Sequence, residues 1–312
     1  IRNAALAVEV DPSAGSILHL VDRSTGRDLV NPKAAFGFGA LIHDRYTTAP
    51  GFNHLSSRLG QNAGMWLLGK RRAGRYGHVL ATESNAVREQ IRLRLELDGT
   101  DWVETTLTLP HDTNRLHLTH RLHKPVSMEK ESLYVAFPFA VADPAVKAEI
   151  TGGIVGPDSP HVPGSLDWFR TLRHWATIEG ADAPPIAWAT AEAPLTQFGT
   201  IHLPYAPFVS SLEAWQHHPA TIYSWALNNI WDTNFPPAQG GELRFSYVIA
   251  TGGDDALALG RDTGAAAAHP LVGVAAPVGV APMDLPDSGS FARVDDTRVE
   301  ITHLAPAREG GV

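Results

Sequence analysis

The 312-residue chain is long enough for one large domain or two smaller ones, and its 44% hydrophobic content is ordinary for a globular protein. Its formal net charge of −8 argues against nucleic acid as a partner, because phosphate binding requires a basic surface. The absence of cysteine excludes disulfides and thiolate metal sites, and no apolar run reaches membrane-spanning length, so we expect a cytoplasmic chain without a membrane partner.

The first part of the chain predicts a short meander followed by loops. Residues 6–10 and 16–22 have the apolar content of strands, and turn residues follow each of them. Residues 31–78 are less regular, with recurrent glycine, arginine, tyrosine and histidine. Loops of this composition often carry binding groups on a rigid scaffold, although an ordinary solvated loop fits the same pattern.

Beyond residue 79, the pattern predicts antiparallel strands with one buried face. Residues 89–97 alternate between apolar and charged side chains, and the Asp98-Gly99 pair is a hairpin signal. Residues 102–109 and 114–123 continue the same alternation. These segments therefore predict a run of half-buried strands joined by tight turns.

Three histidines spaced by three, His117, His120 and His123, do not predict a metal site. Successive strand residues face opposite ways, so His120 points away from the other two. His117 and His123 share a face but would lie about 20 Å apart along an extended strand. We expect one core histidine and two on the solvated face.

The remainder of the chain predicts more strands and little helix. Residues 133–141 form an apolar run typical of a strand buried on both sides, and residues 151–165 are rich in glycine and proline, as in a long loop. A short helix is predicted at residues 254–261. Residues 168–178 fit a strand or a short helix, and a strand is preferred. Further strands are predicted at residues 186–190, 195–201, 221–227 and 243–250. This pattern predicts an all-β fold, a large antiparallel β-sandwich with very little helix.

The predicted domain division follows a change in composition. Residues 1–263 form the main sandwich, and residues 264–312 form an extended connector with terminal strands at residues 290–294 and 298–304. Both ends of the chain read as cuts in a longer polypeptide, the second before a further C-terminal segment.

The segment at residues 223–235 concentrates aromatic, amide and hydroxyl side chains. It begins as a strand and stops at a Pro-Pro turn, which places its last side chains at the rim of a sheet. Tryptophan beside amides suits sugars, which offer an apolar ring face and a hydroxyl edge. A rigid turn whose amides bind backbone is the alternative. The candidate carbohydrate-binding residues are Asn228, Asn229, Trp231, Thr233 and Asn234.

The motif Asn-Asn-x-Trp-x-Thr-Asn at residues 228–234 resembles the C-terminal β-sandwich region of glycoside hydrolase family 38 α-mannosidases. Residues 133–139, Leu-Tyr-Val-Ala-Phe-Pro-Phe, are similar to a strand of that region. Gly152 and Gly153, followed by Pro-Gly-Ser at residues 163–165, resemble one of its loops. The resemblance covers nearly the whole chain. It implies a mutarotase-like super-sandwich that supports an N-terminal catalytic barrel of the same polypeptide and lines a cleft for mannose-containing glycans.

The resemblance does not carry catalytic residues onto this chain. Family 38 enzymes hold zinc and their nucleophile on the barrel, and no segment here resembles the barrel. None of the 15 histidines begins a His-x-Asp motif, and no local cluster supplies three or four zinc ligands. The resemblance therefore implies no cofactor in this chain, zinc in the missing domain, and no hydrolysis by the chain alone.

Two other functions remain open. Mutarotase-like sandwiches include aldose epimerases, which need a general acid and a general base over the sugar ring. Glu213, His217 and His218 are the candidates, although adjacent histidines on a strand face opposite ways. A stand-alone carbohydrate-binding module with Trp and Tyr platforms is the non-enzymatic alternative.

Overall fold

The computed structural model describes most of the chain. The described residues are 1–48, 66–156, 169–181, 183–202, 220–230, 238–270, 272, 288–290, 292–296, 299, 301 and 304. The chain divides into two compact units, Ile1–Leu271 and Val272–Val312. The described residues of the second unit, which include parts of both predicted terminal strands, lie in neither strand nor helix. The predicted division at residue 264 stays a prediction.

The first unit consists mainly of strands. The described residues form these strands, in chain order: β1 Leu6–Asp11, β2 Ser16–Asp22, β3 Leu41–Thr48, β4 Trp66–Ala73, β5 Arg75–Ser84, β6 Arg88–Glu96, β7 Trp102–Pro110, β8 Arg115–Lys124, β9 Glu131–Pro138, β10 Ala145–Ile150, β11 Gly153–Val155, β12 Arg170–Thr171, β13 Trp175–Gly180, β14 Ala183–Thr190, β15 Leu195–Phe198, β16 Thr221–Asn229 and β17 Gly241–Thr251.

Two large antiparallel sheets organise these strands. The nine-stranded sheet has the order β11-β10-β13-β14-β17-β8-β7-β6-β5, and the six-stranded sheet has the order β12-β15-β16-β9-β3-β4. Strands β1 and β2 form a separate hairpin. The prediction of an all-β fold built on a large antiparallel sandwich is confirmed.

The core lies between the two large sheets. Phe137 of β9 contacts Tyr247 of β17 and Trp188 of β14, with ring centroids 4.8 and 5.4 Å apart. All eight residues of β9 are buried, which confirms the predicted two-sided burial of this strand. Burying each large apolar side chain contributes about 1.5–3 kcal/mol, so the facing aromatic rings hold the sheets together.

Strand β8 shows how alternation sorts its histidines, as predicted. His120 is fully buried, and its Nδ1 lies 2.9 Å from the Thr105 hydroxyl on β7. Burial lowers the pKa of His120 to about 3, so the ring is neutral in the folded protein. His117 and His123 lie on the opposite, partly exposed face.

The helix α1, Ala256–Ala268, is longer than predicted and passes through Gly264. A Cβ at Gly260 or Gly264 would lie 2.5 Å from the Trp175 ring, so these glycines permit close packing and do not end the helix. The alanines that follow Gly264 have high helix propensity. None of the helices described here has the length and apolar character to cross a bilayer.

The prediction of loops throughout residues 31–78 was wrong, because strands β3, β4 and the start of β5 lie there. Strand β3 pairs with β9, and its Leu41, Ile42 and Asp44 are buried. The charged residues in β3 and β4 hid the strand pattern from sequence analysis. Asp44 and Arg71 pair with each other, as described below, whereas Arg45 and Lys70 pair with Glu129 and Asp98 outside these two strands.

Candidate functional site

The predicted sugar-binding residues that the structure describes lie at the end of β16. Asn228 and Asn229 are the last two residues of that strand, and both are partly buried. Trp231, Thr233 and Asn234 lie outside the described residues, as do Glu213, His217 and His218.

The two asparagines differ in their hydrogen bonds. The Asn229 Nδ2 donates to the carbonyl oxygens of Glu129, at 2.9 Å, and Ser127, at 3.3 Å. Its amide therefore anchors the connection between β8 and β9. The Asn228 side chain makes no hydrogen bond within the described part of the chain, so its amide is the one left open.

Asn228 lies in register with polar residues on three neighbouring strands. It pairs with Ser132 of β9, Ser132 pairs with Asp44 of β3, and Asp44 pairs with Arg71 of β4. Directly opposed residues of antiparallel strands share one face of the sheet. Three strand spacings make this polar row about 14 Å wide. The polar row comprises Asn228, Ser132, Asp44 and Arg71.

The strongest contact in the polar row is the pair between Asp44 and Arg71. The Arg71 Nε and Nη2 donate to the two carboxylate oxygens of Asp44, each at 2.6 Å. The Asp44 side chain is fully buried, whereas 24% of the Arg71 side chain is exposed. Burial acts to lower the pKa of Arg71, but the hydrogen bonds and charge of Asp44 outweigh it and raise this pKa above its ordinary value.

Tyrosines surround the buried carboxylate. The Tyr46 hydroxyl lies 3.3 Å from both Asp44 Oδ2 and the Tyr134 hydroxyl. Burial disfavours the phenolate and raises the pKa of Tyr46 and of Tyr134 well above the ordinary value. Trp225 stacks on Tyr134, with ring centroids 5.8 Å apart and planes 12° apart. The row is therefore backed by protonated hydroxyls and buried aromatic rings.

Phe36 brings an aromatic ring to the partly exposed end of the row. The Arg71 guanidinium lies over the Phe36 ring, 6.0 Å from its centroid. Phe36 meets Tyr223 of β16 edge-on, at 6.3 Å between centroids. The Phe36 ring therefore gives the Arg71 guanidinium a second contact beside Asp44.

A second charged cluster lies on the opposite face of the same sheet end and bridges the two large sheets. The Glu131 carboxylate lies 2.5 Å from the Lys124 Nζ and 2.9 Å from the His43 Nε2. Burial alone would raise the pKa of Glu131, but hydrogen bonds from His43 and Lys124 keep it below its ordinary value. All three residues are buried. The cluster is inside the sandwich and ties β8 to β3 and β9.

Sequence analysis placed Asp44 and Arg71 in a stretch that fitted either a binding loop or an ordinary solvated loop, and it did not predict their pairing. They are 27 residues apart and meet only through the pairing of β3 with β4. A carboxylate and a basic residue on neighbouring strands would have been the available signal, but the strands themselves were not predicted.

The resemblance implies zinc only in the missing domain, and the expectation of no cofactor in this chain stays a prediction. A protein zinc site needs three or four converging ligands. Among the described residues, no group of three His, Asp or Glu side chains could hold a metal ion. Within the polar row the single carboxylate already binds Arg71, so we derive no chemistry from a metal in this part of the chain.

Comparison with known proteins identifies a family. The family model described as glycosyl hydrolases family 38 C-terminal domain matches residues 1–156, which is half of the chain. No curated protein gives a significant sequence match.

The most similar solved structures include two from Enterococcus faecalis. A family 38 glycosyl hydrolase matches with 10% identity and a TM-score of 0.54, covering 81% of this chain and 30% of its own. An α-mannosidase from strain V583 matches with 10% identity and a TM-score of 0.53, covering 81% of this chain and 29% of its own. At this identity the likeness shows the fold alone, and the chain spans less than a third of either protein.

A third structure is a galactose mutarotase-like protein from Clostridium acetobutylicum. It has 9% identity and a TM-score of 0.47, covering 81% of this chain and 94% of its own. Because the family model matches half of the chain, the chain belongs to glycosyl hydrolase family 38 and carries its C-terminal domain.

Proposed function

We propose that this chain is the non-catalytic sandwich region of a zinc-dependent, retaining α-mannosidase, in which it supports the catalytic barrel and lines the sugar cleft. The observation that carries the proposal is the family 38 match over residues 1–156. The likeness in fold to an α-mannosidase, of which this chain spans 29%, agrees with a region of a larger enzyme. Zinc and the nucleophile belong to the barrel in this proposal, and a cytoplasmic location remains a prediction.

The polar row supports a binding role. A bidentate ion pair is electrically neutral as a unit, so it favours neutral hydroxyl groups over anions. The open amide of Asn228 can both donate to and accept from a hydroxyl. We retain Asn228, Asn229, Trp231, Thr233 and Asn234 as the proposed sugar contacts at this rim, with Asn229 serving mainly through the backbone that it holds.

The row does not support a catalytic role. Retaining hydrolysis generally requires two carboxyl groups about 5 Å apart, one as nucleophile and one as acid and base. Asp44 is the only carboxylate in the row, and it is fully buried against Arg71. The row can position a sugar, whereas bond cleavage has to come from the barrel.

The test is an assay of α-mannoside hydrolysis by the full-length polypeptide that contains this chain and by this chain alone. We expect the full-length polypeptide to release aryl alcohol from an aryl α-mannoside, to lose activity when zinc is chelated, and to retain the anomeric configuration. The isolated chain is expected to release none.

Other outcomes would replace the proposal. Hydrolysis by the isolated chain would place the reactive groups within it. Anomer interconversion of mannose or galactose by the isolated chain, followed by NMR, would identify an epimerase. Glycan binding by a full-length polypeptide that hydrolyses no mannoside would identify a binding module.

A further inference from the structure

We propose that Arg71 is the side chain through which this domain hydrogen-bonds a sugar hydroxyl, and that the buried Asp44 positions it. The inference rests on the proposed function and adds the group that contacts the ligand. Three features of the pair support it: the fixed orientation of the guanidinium, its open donors, and the compensated charge.

Asp44 fixes the guanidinium in one orientation. Two parallel hydrogen bonds of 2.6 Å hold the Nε and Nη2 edge against a fully buried carboxylate. A bidentate pair restricts the rotation that a single contact would allow. Strands β3 and β4 carry the two residues at opposed positions, so the backbone ladder adds to this restriction.

The opposite edge of the guanidinium is open. An arginine side chain has five N–H donors, and Asp44 engages two of them. The Nη1 of Arg71 makes no hydrogen bond within the described part of the chain. A quarter of the Arg71 side chain, 24%, is exposed, and in this proposal its remaining donors use that exposure to reach a ligand.

The chemistry of the pair favours a neutral hydroxyl. Asp44 compensates the charge of Arg71 at contact distance, which weakens attraction for phosphate or carboxylate ligands. The net charge of −8 acts in the same direction. The guanidinium also lies over the Phe36 ring, and this cation–π contact adds to its positioning.

A donor held in one orientation is selective for a sugar that has a hydroxyl at one particular position. A site built to bond a hydroxyl rejects an analogue that lacks it, because the buried polar group is left unpaired. Arg71 should therefore distinguish among monodeoxy sugars, which a purely structural ion pair would not do.

The experiment measures kcat/KM of the full-length polypeptide on an aryl α-mannoside and on its monodeoxy analogues. We expect Arg71→Met to lower kcat/KM on the parent sugar by about tenfold to a hundredfold. The analogue that lacks the hydroxyl bound by Arg71 should be a poor substrate for the wild type. Arg71→Met should not lower kcat/KM on that analogue any further. Arg121→Met, on the exposed face of the nine-stranded sheet, is the matched control and should change neither value.

Two further variants separate function from folding. Arg71→Lys keeps a positive partner for Asp44 but loses the planar fork, so it should retain the melting temperature and lose kcat/KM. The double variant Asp44→Leu/Arg71→Met removes the buried charge together with the donor, and such replacements are often tolerated. It should fold and show the same deoxy-sugar profile as Arg71→Met.

The outcomes distinguish the two proposals. If the wild type hydrolyses α-mannosides but Arg71→Lys and the double variant keep kcat/KM within about twofold, the assignment of Arg71 is wrong and the proposed function stands. The assignment of Arg71 is also wrong if removing each hydroxyl lowers kcat/KM by the same factor in the variants as in the wild type. If the wild type hydrolyses no α-mannoside, the proposed function fails and this inference fails with it.

Discussion

Each large sheet has an arginine–carboxylate pair that joins directly opposed residues of two neighbouring strands. The two pairs, Arg71–Asp44 and Arg94–Glu104, differ mainly in burial. On the six-stranded sheet, Arg71 meets an Asp44 that is fully buried. On the nine-stranded sheet, Arg94 and Glu104 lie 2.9 Å apart with 37% and 25% of their side chains exposed. Strand pairing aligns the partners in the same way in both sheets.

The difference indicates that burial, and not residue type, decides how much such a pair contributes to stability and how firmly it holds the guanidinium. Exposed pairs contribute about 0–1 kcal/mol, because water and salt screen them. The exposed arginines, Arg94 and Arg121, also lie against Trp102, at 5.2 and 5.9 Å from its centroid. They partly cover this ring, so Trp102 is a poor platform for a sugar. The buried pair holds one guanidinium edge rigid and leaves the other edge available.

The largest expected effect comes from removing the buried carboxylate. Asp44→Ala should lower the free energy of unfolding by about 3 kcal/mol, because Arg71 and the Tyr46 hydroxyl lose their buried partner. Urea unfolding of the purified chain measures this change. Glu104→Ala, the matched exposed substitution, should cost less than about 1 kcal/mol. Equal losses in both variants would show that burial does not separate the two pairs.

The next largest effect is the pH dependence of stability that comes from the buried His120. Burial lowers the pKa of His120 in the folded protein to about 3 from its ordinary value of 6.5, so the unfolded chain binds the proton first as the pH falls. This contribution to stability is complete above pH 6.5 and declines as the pH falls below it. Between pH 7 and pH 5, protonation of the unfolded state should remove about 2 kcal/mol.

Denaturant unfolding at several pH values tests this prediction through the variant His120→Gln. Its stability should depend less on pH than that of the wild type across this interval. Burial also lowers the pKa of His117, but that residue is present in both proteins and cancels in the difference. An unchanged slope in His120→Gln would contradict the assignment.

A smaller effect distinguishes the two asparagines at the end of β16. Asn229→Ala removes hydrogen bonds to the carbonyls of Ser127 and Glu129, so it should cost about 1 kcal/mol. Hydrogen exchange should also increase in the connection between β8 and β9. Asn228→Ala should change stability by less than about 0.5 kcal/mol, since its amide is open. The reverse order would mean that Asn228 is the structural residue.

The smallest effect is the salt dependence of the exposed pair. A double-mutant cycle on Arg94 and Glu104 should give a coupling of about 0.5 kcal/mol at low salt and close to zero at about 1 M NaCl. The corresponding cycle on Asp44 and Arg71 should keep its coupling at both salt concentrations. A salt-sensitive coupling in the second cycle would show that water reaches the Asp44 carboxylate.

The sequence predicted the regularly alternating strands well. Strands β6, β7 and β8 were found because apolar and polar residues alternate there and Asp98-Gly99 marks a turn. Strand β9 was found because it is an unbroken apolar run. In each case local pattern and final burial agree, so no knowledge of distant contacts was needed.

Strands β3 and β4 could not be predicted in this way. Asp44 is fully buried only because Arg71, 27 residues later, compensates its charge. A local pattern reads such a residue as exposed, since unpaired buried charge is costly. The polar row therefore had to be built from strand register. Asn228, at its end, was proposed from sequence as a sugar contact, and that role stays a prediction.

Hydrogen–deuterium exchange of the full-length polypeptide, with and without a non-hydrolysable α-mannoside analogue, tests most directly whether the six-stranded sheet faces the sugar. We expect the analogue to slow exchange in β3, in β4 and at the end of β16, with no change in β6 to β8. Slower exchange confined to the exposed face of the nine-stranded sheet, or no change in either sheet upon saturation with the analogue, would contradict it.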